Sequence, residues 1–210
     1  LVGGIFSYRS NDVDVKTVIK FALPSFLGVT IMKKYFLPSL PAVVAKIGSI
    51  ELSKNILIMS IFAVIMVLAS ISMIKKGKES TSNSSNKGWS LKILFQGFFV
   101  GNITGLVGAG GGFLIVPALT NIIGLRMRAA VGSSMIIIAA NSLLGFSVAM
   151  SAGLEPQWAM LLKILALSLV GLFLGRKISR KFSDSQLKKA FGIFVLVMGT
   201  IILIDQIYKL

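Results

Sequence analysis

The most distinctive candidate binding residues in this chain are glycines in an apolar region. The stretch Gly101–Leu119 reads GNITGLVGAGGGFLIVPAL. Glycine disfavours a helix interior by about 1 kcal/mol relative to alanine, and proline by about 3 kcal/mol. The cluster formed by Gly108, Gly110, Gly111 and Gly112 therefore predicts a broken helix. Free backbone N–H groups at such a break bind anions, because glycine has no side chain in the way and a helix N-terminus is electropositive.

The three earlier glycines predict a different role. Gly97, Gly101 and Gly105 recur every fourth residue, so they share one face of a helix. Small residues at this spacing let transmembrane helices approach closely. We therefore expect these three glycines to mark a helix–helix contact.

Other site chemistries are poorly supported. The chain contains no cysteine and no histidine, which removes thiol nucleophiles, thiolate or imidazole metal ligands and the commonest general base. A phosphate-binding loop requires lysine and a hydroxyl residue after the last glycine, whereas Phe113 and Leu114 follow here. The seven acidic residues all lie in loops or near segment ends, so no buried acid pair is expected. We predict a protein that is not an enzyme and that uses no metal and no cofactor.

Composition indicates a membrane protein. Of 210 residues, 55% are hydrophobic and 14% are charged, and the mean hydropathy is +0.87. A helix spans the bilayer with about 20 mainly apolar residues. Two apolar blocks, Ile93–Val107 and Phe113–Ile123, are too short for this. We predict an all-α polytopic membrane protein with about five full transmembrane helices and a glycine-broken re-entrant or half-helix pair.

The chain has a net charge of +15, and its basic residues lie mainly between the apolar blocks. Basic residues concentrate in 75–92 and 176–189, with a smaller basic turn at Arg126 and Arg128. Cytoplasmic loops carry such an excess, so we place these loops in the cytoplasm and the protein in the cell membrane. All three basic segments can lie on the cytoplasmic side of the membrane only if residues 91–124 enter the membrane and leave it again on that same side. No basic face with aromatic platforms is present, so nucleic acid is not an expected partner.

Internal repetition divides the chain. A shift of 143 residues aligns Phe21–Tyr35 with Ile164–Ile178, and a shift of 132 aligns Ser60–Ile74 with the helix around Gly192–Leu203. We predict three regions: 1–74, the back half of a first transmembrane repeat whose first part is not in this sequence; 75–90, a polar basic linker; and 91–210, a complete second repeat. The repeats are expected to be inverted relative to each other.

Several polar residues within apolar blocks are further candidates for substrate contact. An intramembrane polar group is a functional hypothesis by default, with interhelical hydrogen bonding as the alternative. We assign Ser133, Ser134 and Asn141 to this group. Lys20 and Lys163 align in the repeat register, and each lies five residues after its expected helix start. They either snorkel to the interface or act as anion guides.

Specific motifs resemble a known family. Gly108–Leu119 (GAGGGFLIVPAL), Leu125–Ser134 (LRMRAAVGSS) and Asn141–Phe146 (NSLLGF) resemble the second half of the TauE/SafE permeases. The basic flank Gly175–Lys177 is also similar. Pro117 belongs to the VP element of this motif, and we include it with the glycines as a substrate-binding candidate.

The resemblance implies a carrier of small sulfur-containing anions such as sulfite, sulfonates or sulfoacetate, built from two related halves. The expected partners are this anion and the lipid bilayer, and a further copy of the chain in a homo-oligomer is an additional candidate partner. The alternative is a truncated or non-transporting membrane subunit of the same family, because the family's first glycine motif is missing here. A lipid-acting membrane enzyme is a distant third hypothesis.

Overall fold

A computed structural model describes residues 2–9, 13–41, 43–47, 50–75, 91–107, 112–151, 153 and 155–209. Most of the linker 75–90 and three residues of the glycine cluster lie outside these ranges. The described helices are α1 (Val2–Arg9), α2 (Val15–Ile31), α3 (Leu37–Ser39), α4 (Lys54–Ile74), α5 (Leu91–Val107), α6 (Gly112–Pro117), α7 (Met127–Ser151), α8 (Trp158–Ser179) and α9 (Asp184–Tyr208). Two π-helical turns follow α2 and α6, at Met32–Phe36 and Ala118–Ile122.

Five of the described helical segments are long and apolar enough to cross a membrane. They are Val15–Ser39, which includes α2 and α3, and the helices α4, α7, α8 and α9. Helix α5 is apolar but shorter, and α6 with its π-helical turn is shorter still. These lengths confirm the predicted all-α polytopic membrane protein with a broken short pair.

A small β-hairpin interrupts the helical architecture. Strands β1 (Val43–Ile47) and β2 (Ile50–Ser53) pair antiparallel, with Lys46 opposite Glu51 and Ile47 opposite Ile50. No strand is predicted in this region from the sequence. The β-branched residues at Val43, Val44, Ile47 and Ile50 favour extended backbone, which explains why the connection forms a hairpin.

The segment after the glycine cluster is the most enclosed part of the described chain. Every residue from Leu114 to Thr120 is buried. Leu114, Ile115, Ala118 and Leu119 belong to a core that also contains residues of α2, α4, α5, α7 and α9. Irregular backbone at membrane depth is tolerated only where protein buries it or where it lines a water-filled cavity. Burial of this short arm therefore makes the break in the helix possible.

Contacts between helix ends define one end of the bundle, here called the basic end. Arg128, at the start of α7, pairs with Asp184 at 3.1 Å and donates to the Phe182 carbonyl at 2.8 Å. The Asn121 amide donates to the Ser72 hydroxyl at 3.1 Å. The end of α4, the π-helical turn at Ala118–Ile122, and the starts of α7 and α9 therefore lie together.

Helices α2 and α5 also begin at the basic end. The backbone N–H of Asp14 donates to the Ser133 hydroxyl at 3.1 Å, and Ser133 lies about 9 Å along α7 from its start. Helix α5 runs parallel to α2, because Gly97 faces Phe21 and Gly105 faces Val29. Since α5 begins and the π-helical turn ends at the same end of the bundle, the described arms 91–107 and 112–122 run in opposite directions, as the predicted re-entrant pair requires.

The glycines of α5 pack as the sequence predicted. A Cβ placed on Gly97 would lie 2.6 Å from the Phe21 carbonyl oxygen, and one on Gly105 would lie 3.0 Å from the Val29 Cα. Gly101 faces the Ser25 backbone in the same way. Helix α2 contributes its own glycine, since a Cβ on Gly28 would lie 2.5 Å from the Phe98 carbonyl oxygen. The absence of side chains brings these two backbones into direct contact.

The helices matched by the repeat registers run in opposite directions. Helix α2 begins at the basic end, whereas its match α8 ends there, with the Ser179 carbonyl 3.4 Å from Arg128 Nη2. Helix α4 ends at the basic end and its match α9 begins there. The two pack antiparallel, with Gly192 against Met73 and Gly199 against Met66. This opposition is the relation expected of inverted repeats.

The α2–α5 contact yields a stability prediction. Gly101→Ala inserts a methyl group against the Ser25 backbone, and overpacking of this kind costs about 1–3 kcal/mol. The matched control is Gly145→Ala in α7, where an added Cβ meets nothing within 4 Å and alanine favours the helix. In a thermal unfolding assay in detergent, we expect Gly101→Ala to lower the midpoint and Gly145→Ala to leave it unchanged or raise it. Equal midpoints for the two variants would contradict the close packing.

Candidate functional site

The candidate site centres on the break between α5 and α6. Helix α5 ends at Val107 and α6 begins at Gly112. Gly108, Gly110 and Gly111 lie outside the described residues. The 17 residues of α5 extend about 25 Å from the basic end, which is less than the thickness of about 30 Å of a bilayer core.

The second arm of the break is built around Pro117. This residue is buried in α6 and immediately precedes the π-helical turn. Proline has no N–H to donate to a carbonyl of the preceding helical turn. The Thr120 hydroxyl donates to the Val116 carbonyl at 3.0 Å and lies 3.3 Å from the Pro117 carbonyl oxygen, which supplies polar partners within the buried arm. Pro117 thus shapes the arm, and its burial among apolar neighbours favours packing over direct contact with a ligand.

The arm ends in a glycine cap. Gly124 adopts a positive φ of 83°, a conformation in which glycine avoids the Cβ penalty. The Leu125 N–H donates to the Leu119 carbonyl at 2.9 Å, as in a helix that ends with a left-handed residue. This cap turns the chain from the buried arm into α7.

Ser133 and Ser134 are both buried, but they make different bonds. Ser133, with 0% of its surface exposed, accepts the hydrogen bond from the Asp14 N–H described above. Ser134 donates to the Val131 carbonyl of its own helix at 2.8 Å. Ser133 therefore joins α2 to α7 near the basic end, and Ser134 is satisfied locally.

Asn141 lies deeper and has different surroundings. It is half-buried, and its amide nitrogen has no hydrogen-bond partner among the described residues. It lies about 21 Å along α7 from the start of that helix and about 12 Å beyond Ser133. The structure thus separates Asn141 from the serine pair along α7.

The two candidate lysines do not share one site. Lys20 lies five residues into α2, near the basic end, and is half-buried. Lys163 is exposed and lies five residues into α8, near the opposite end. Their separation agrees with opposite orientations of α2 and α8. It favours interface positions over a shared anion pair.

Asp14 has a structural role that its place among the seven loop acids does not indicate. Its side chain accepts from the Thr17 N–H at 3.1 Å and the Thr17 hydroxyl at 3.0 Å. It therefore caps α2. An aspartate directly before an apolar helical run is a known start signal, so the cap was detectable. Its bond to Ser133, 119 residues away, was not.

Two other buried polar groups could not be predicted from residue types and spacing. The Ser25 hydroxyl in α2 and the Gln96 side-chain oxygen in α5 are buried, and neither has a partner within the described part of the chain. Ser25 also meets Gly101 at the α2–α5 contact. In the described ranges, no group of three or more acidic side chains is placed to hold a metal ion.

A cavity of about 780 Å³ lies at the basic end, where α8 stands away from α7 and α9. Its wall includes Gly171, Gly175 and Arg176 of α8, Gly132 of α7 and Phe191 of α9. Arg176 lies over the Phe6 ring at 5.0 Å, so its charge packs against α1.

The family model for the sulfite exporter TauE/SafE matches residues 1–202. This chain belongs to the TauE/SafE family. The match extends across both predicted repeats and includes the broken pair, α7 and α8. It is a family of membrane transporters.

Two curated proteins are similar to this TauE/SafE chain. It is 28% identical to "Probable membrane transporter protein YunE" of Bacillus subtilis over 167 residues, covering 70% of this chain and 60% of that protein. It is 34% identical to "Probable membrane transporter protein MJ0441" of Methanocaldococcus jannaschii over 111 residues, covering 50% of this chain and 41% of that protein. The chain thus spans less than two thirds of each relative. No solved structure matches it.

The bond between Asp14 and Ser133 yields a prediction for this TauE/SafE chain. Ser133→Ala removes the acceptor of the Asp14 N–H, and an interhelical bond in a membrane protein contributes about 0.6 kcal/mol. We expect the Asp14 amide to exchange hydrogen about threefold faster, while amides in the middle of α4 are unchanged. Ser134→Ala, which removes only a bond within α7, is the control. Unchanged exchange at Asp14 would refute the contact.

Proposed function

We propose that this TauE/SafE chain forms part of a secondary transporter for small sulfur-containing anions of the sulfite, sulfonate or sulfoacetate type. The observation that supports this most directly is the re-entrant pair, in which α5 stops at Val107 and the second arm returns through residues that are buried from Leu114 to Thr120. Discontinuous helices of this kind form substrate sites near the midplane of transporters, with free N–H groups directed at anionic groups.

The chemistry at the break suits an anion of small size. The glycine cluster has backbone N–H donors and no side chains beyond that of Ala109, so an oxyanion can approach the backbone closely. The amide nitrogen of Asn141, on the neighbouring helix α7, is buried and lacks a partner among the described residues. A buried polar group that stays unsatisfied costs about 1–3 kcal/mol, so a substrate oxygen is a favourable partner for it.

The architecture offers a route to alternating access. Helices α4 and α9 cross through two glycine contacts, at Gly192 and Gly199. They are the pair matched by the repeat register and run antiparallel. Rocking of one inverted repeat against the other exposes a central site to each side in turn. We propose that the α4–α9 contact lies at the boundary between the two moving parts.

A second candidate function is a non-transporting membrane subunit. It is favoured by one observation: residues 1–210 contain a single glycine cluster of the Gly108–Gly112 kind. A transport site that needs both glycine motifs would be incomplete with the second motif alone. Flux measurements separate the two candidates.

The transport proposal predicts loss of flux when the glycine cluster is filled. We expect cells that carry this chain to export sulfite or a sulfonate. Changing Gly110, Gly111 and Gly112 to alanine should lower that flux at least tenfold, because three methyl groups block the backbone donors and restore a helix former. Gly145→Ala, at an open position of α7, is the control.

Flux is compared at equal amounts of folded protein in the membrane. Equal flux from the alanine form and the control would reject the glycine cluster as the anion site. No flux from the unchanged chain would reject transport by residues 1–210 and favour the subunit.

We also propose that the basic end faces the cytoplasm, because Lys75, Arg128, Arg176 and Lys177 lie there and the positive-inside rule applies. The chain has no cysteine, so single cysteines report topology directly. A membrane-impermeant maleimide added to intact cells should label Gln157→Cys, at the opposite end, and should label Ser183→Cys only after lysis. Labelling of Ser183→Cys in intact cells would reverse the orientation.

A further inference from the structure

Helix α8 is the least packed spanning helix of the described structure. Of its 22 residues, none is buried, whereas α2, α4 and α9 each have several buried residues. Its contacts with the bundle lie on one side. Phe173 meets Phe6 with ring centroids 5.7 Å apart, Leu172 lies beside Gly3, and the Ser179 carbonyl faces Arg128.

A different face of α8 contains small residues in an open position. Ile164, Ser168, Gly171 and Gly175 lie on one side of the helix, since they are four, three and four residues apart. All four are exposed. A Cβ placed on Gly171 or Gly175 meets nothing within 4 Å. Both glycines also line the cavity between α8 and the bundle.

The repeat register supplies a reference for this face. The shift of 143 residues aligns Ser168 with Ser25 and Gly171 with Gly28. In α2 these two residues are buried against α5: the Ser25 backbone faces Gly101, and Gly28 lies against Phe98 and Asn102. The same residue types at the same spacing are thus covered by a helix in one repeat and open in the other.

From this difference we propose that the face of α8 formed by Ile164, Ser168, Gly171 and Gly175 binds a partner transmembrane helix of the α5 kind. This helix is apolar and has glycine at every fourth position, and it runs parallel to α8 as α5 runs parallel to α2.

The described chain does not supply this partner itself. Its own α5 is occupied by α2. Residues 76–90 are polar and rich in lysine and serine, so they cannot form an apolar helix. A second copy would present an α5 that its own α2 already covers. The chain spans 60% and 41% of the length of the two curated relatives.

The absence of cysteine makes a direct test possible. Ser168→Cys places one thiol on the proposed face. Ala166→Cys places one at nearly the same depth but about 200° away around the helix, and Ala166 is exposed as well. The probe is a peptide of residues 91–107 with Phe98→Cys, because the Phe98 carbonyl oxygen lies 2.5 Å from the Cβ position of Gly28, the counterpart of Gly171.

Each single-cysteine chain is reconstituted with the peptide in lipid vesicles and treated with a short bifunctional maleimide. We expect the peptide to cross-link to the Ser168→Cys chain at least tenfold more than to the Ala166→Cys chain. Adding Gly171→Leu to the chain should abolish the preference. Changing Gly101→Leu in the peptide should do the same, and this variant leaves the fold of the chain untouched.

Three outcomes would overturn the proposal. Equal peptide cross-linking of the Ser168→Cys and Ala166→Cys chains would mean that lipid alone covers this face. Dominant chain-to-chain cross-linking of the Ser168→Cys variant would mean that a second copy occupies the face, through the two glycines of α8. A preference for the Ser168→Cys chain that survives Gly101→Leu in the peptide would mean that glycine packing does not direct the contact. The test measures binding, so it is independent of whether the chain transports an anion.

Discussion

A helix that stops inside a membrane leaves backbone N–H and C=O groups without partners, and hydrocarbon cannot supply them. The arrangement of the other helices follows from this constraint. The arm after the break is buried from Leu114 to Thr120 and lies in a core shared with α2, α4, α5, α7 and α9. Because this arm is short, the surrounding helices must come close to it, and glycines at the α2–α5 and α4–α9 contacts permit that approach.

The helices run parallel at one glycine contact and antiparallel at the other, as expected for inverted repeats. Helices α2 and α5 are parallel and belong to different predicted repeats, while α4 and α9 are matched helices that pack antiparallel. At the basic end, Arg128 joins α7 to the turn between α8 and α9 through Asp184 and two carbonyl groups. Guanidinium forms several directed hydrogen bonds at once, so this one side chain fixes three helix ends in a partly exposed region.

Residue types and spacing predicted the spanning helices, the break and the packing role of Gly97, Gly101 and Gly105, because each depends on local composition or periodicity. The α2 and α8 starts at Val15 and Trp158 also agree with the sequence. The hairpin of β1 and β2 was not predicted, because the pairing of two short strands depends on their surroundings as well as on the β-branched residues within them. The contact of Asp14 with Ser133 and the different depths of Ser133 and Asn141 depend on tertiary packing. Whether Ser134 and Asn141 contact a substrate stays a prediction, as does the role of Gly108, Gly110 and Gly111.

Helix α8 shows why sequence alone could not separate a lipid-facing surface from a helix-facing one. In a water-soluble protein, an apolar stripe marks the buried side of a helix. Lipid tails are as apolar as a protein interior, so in a membrane the same stripe does not distinguish a buried side from a lipid-facing side. Glycine still indicates a helix contact, because it weakens a helix and is an advantage in a membrane helix mainly where another backbone packs closely against it. The repeat adds the missing reference: Gly28 and Gly171 occupy the same register position, and one is covered while the other is open. A comparison of the two halves of one chain therefore identifies an uncovered surface that neither half reveals alone.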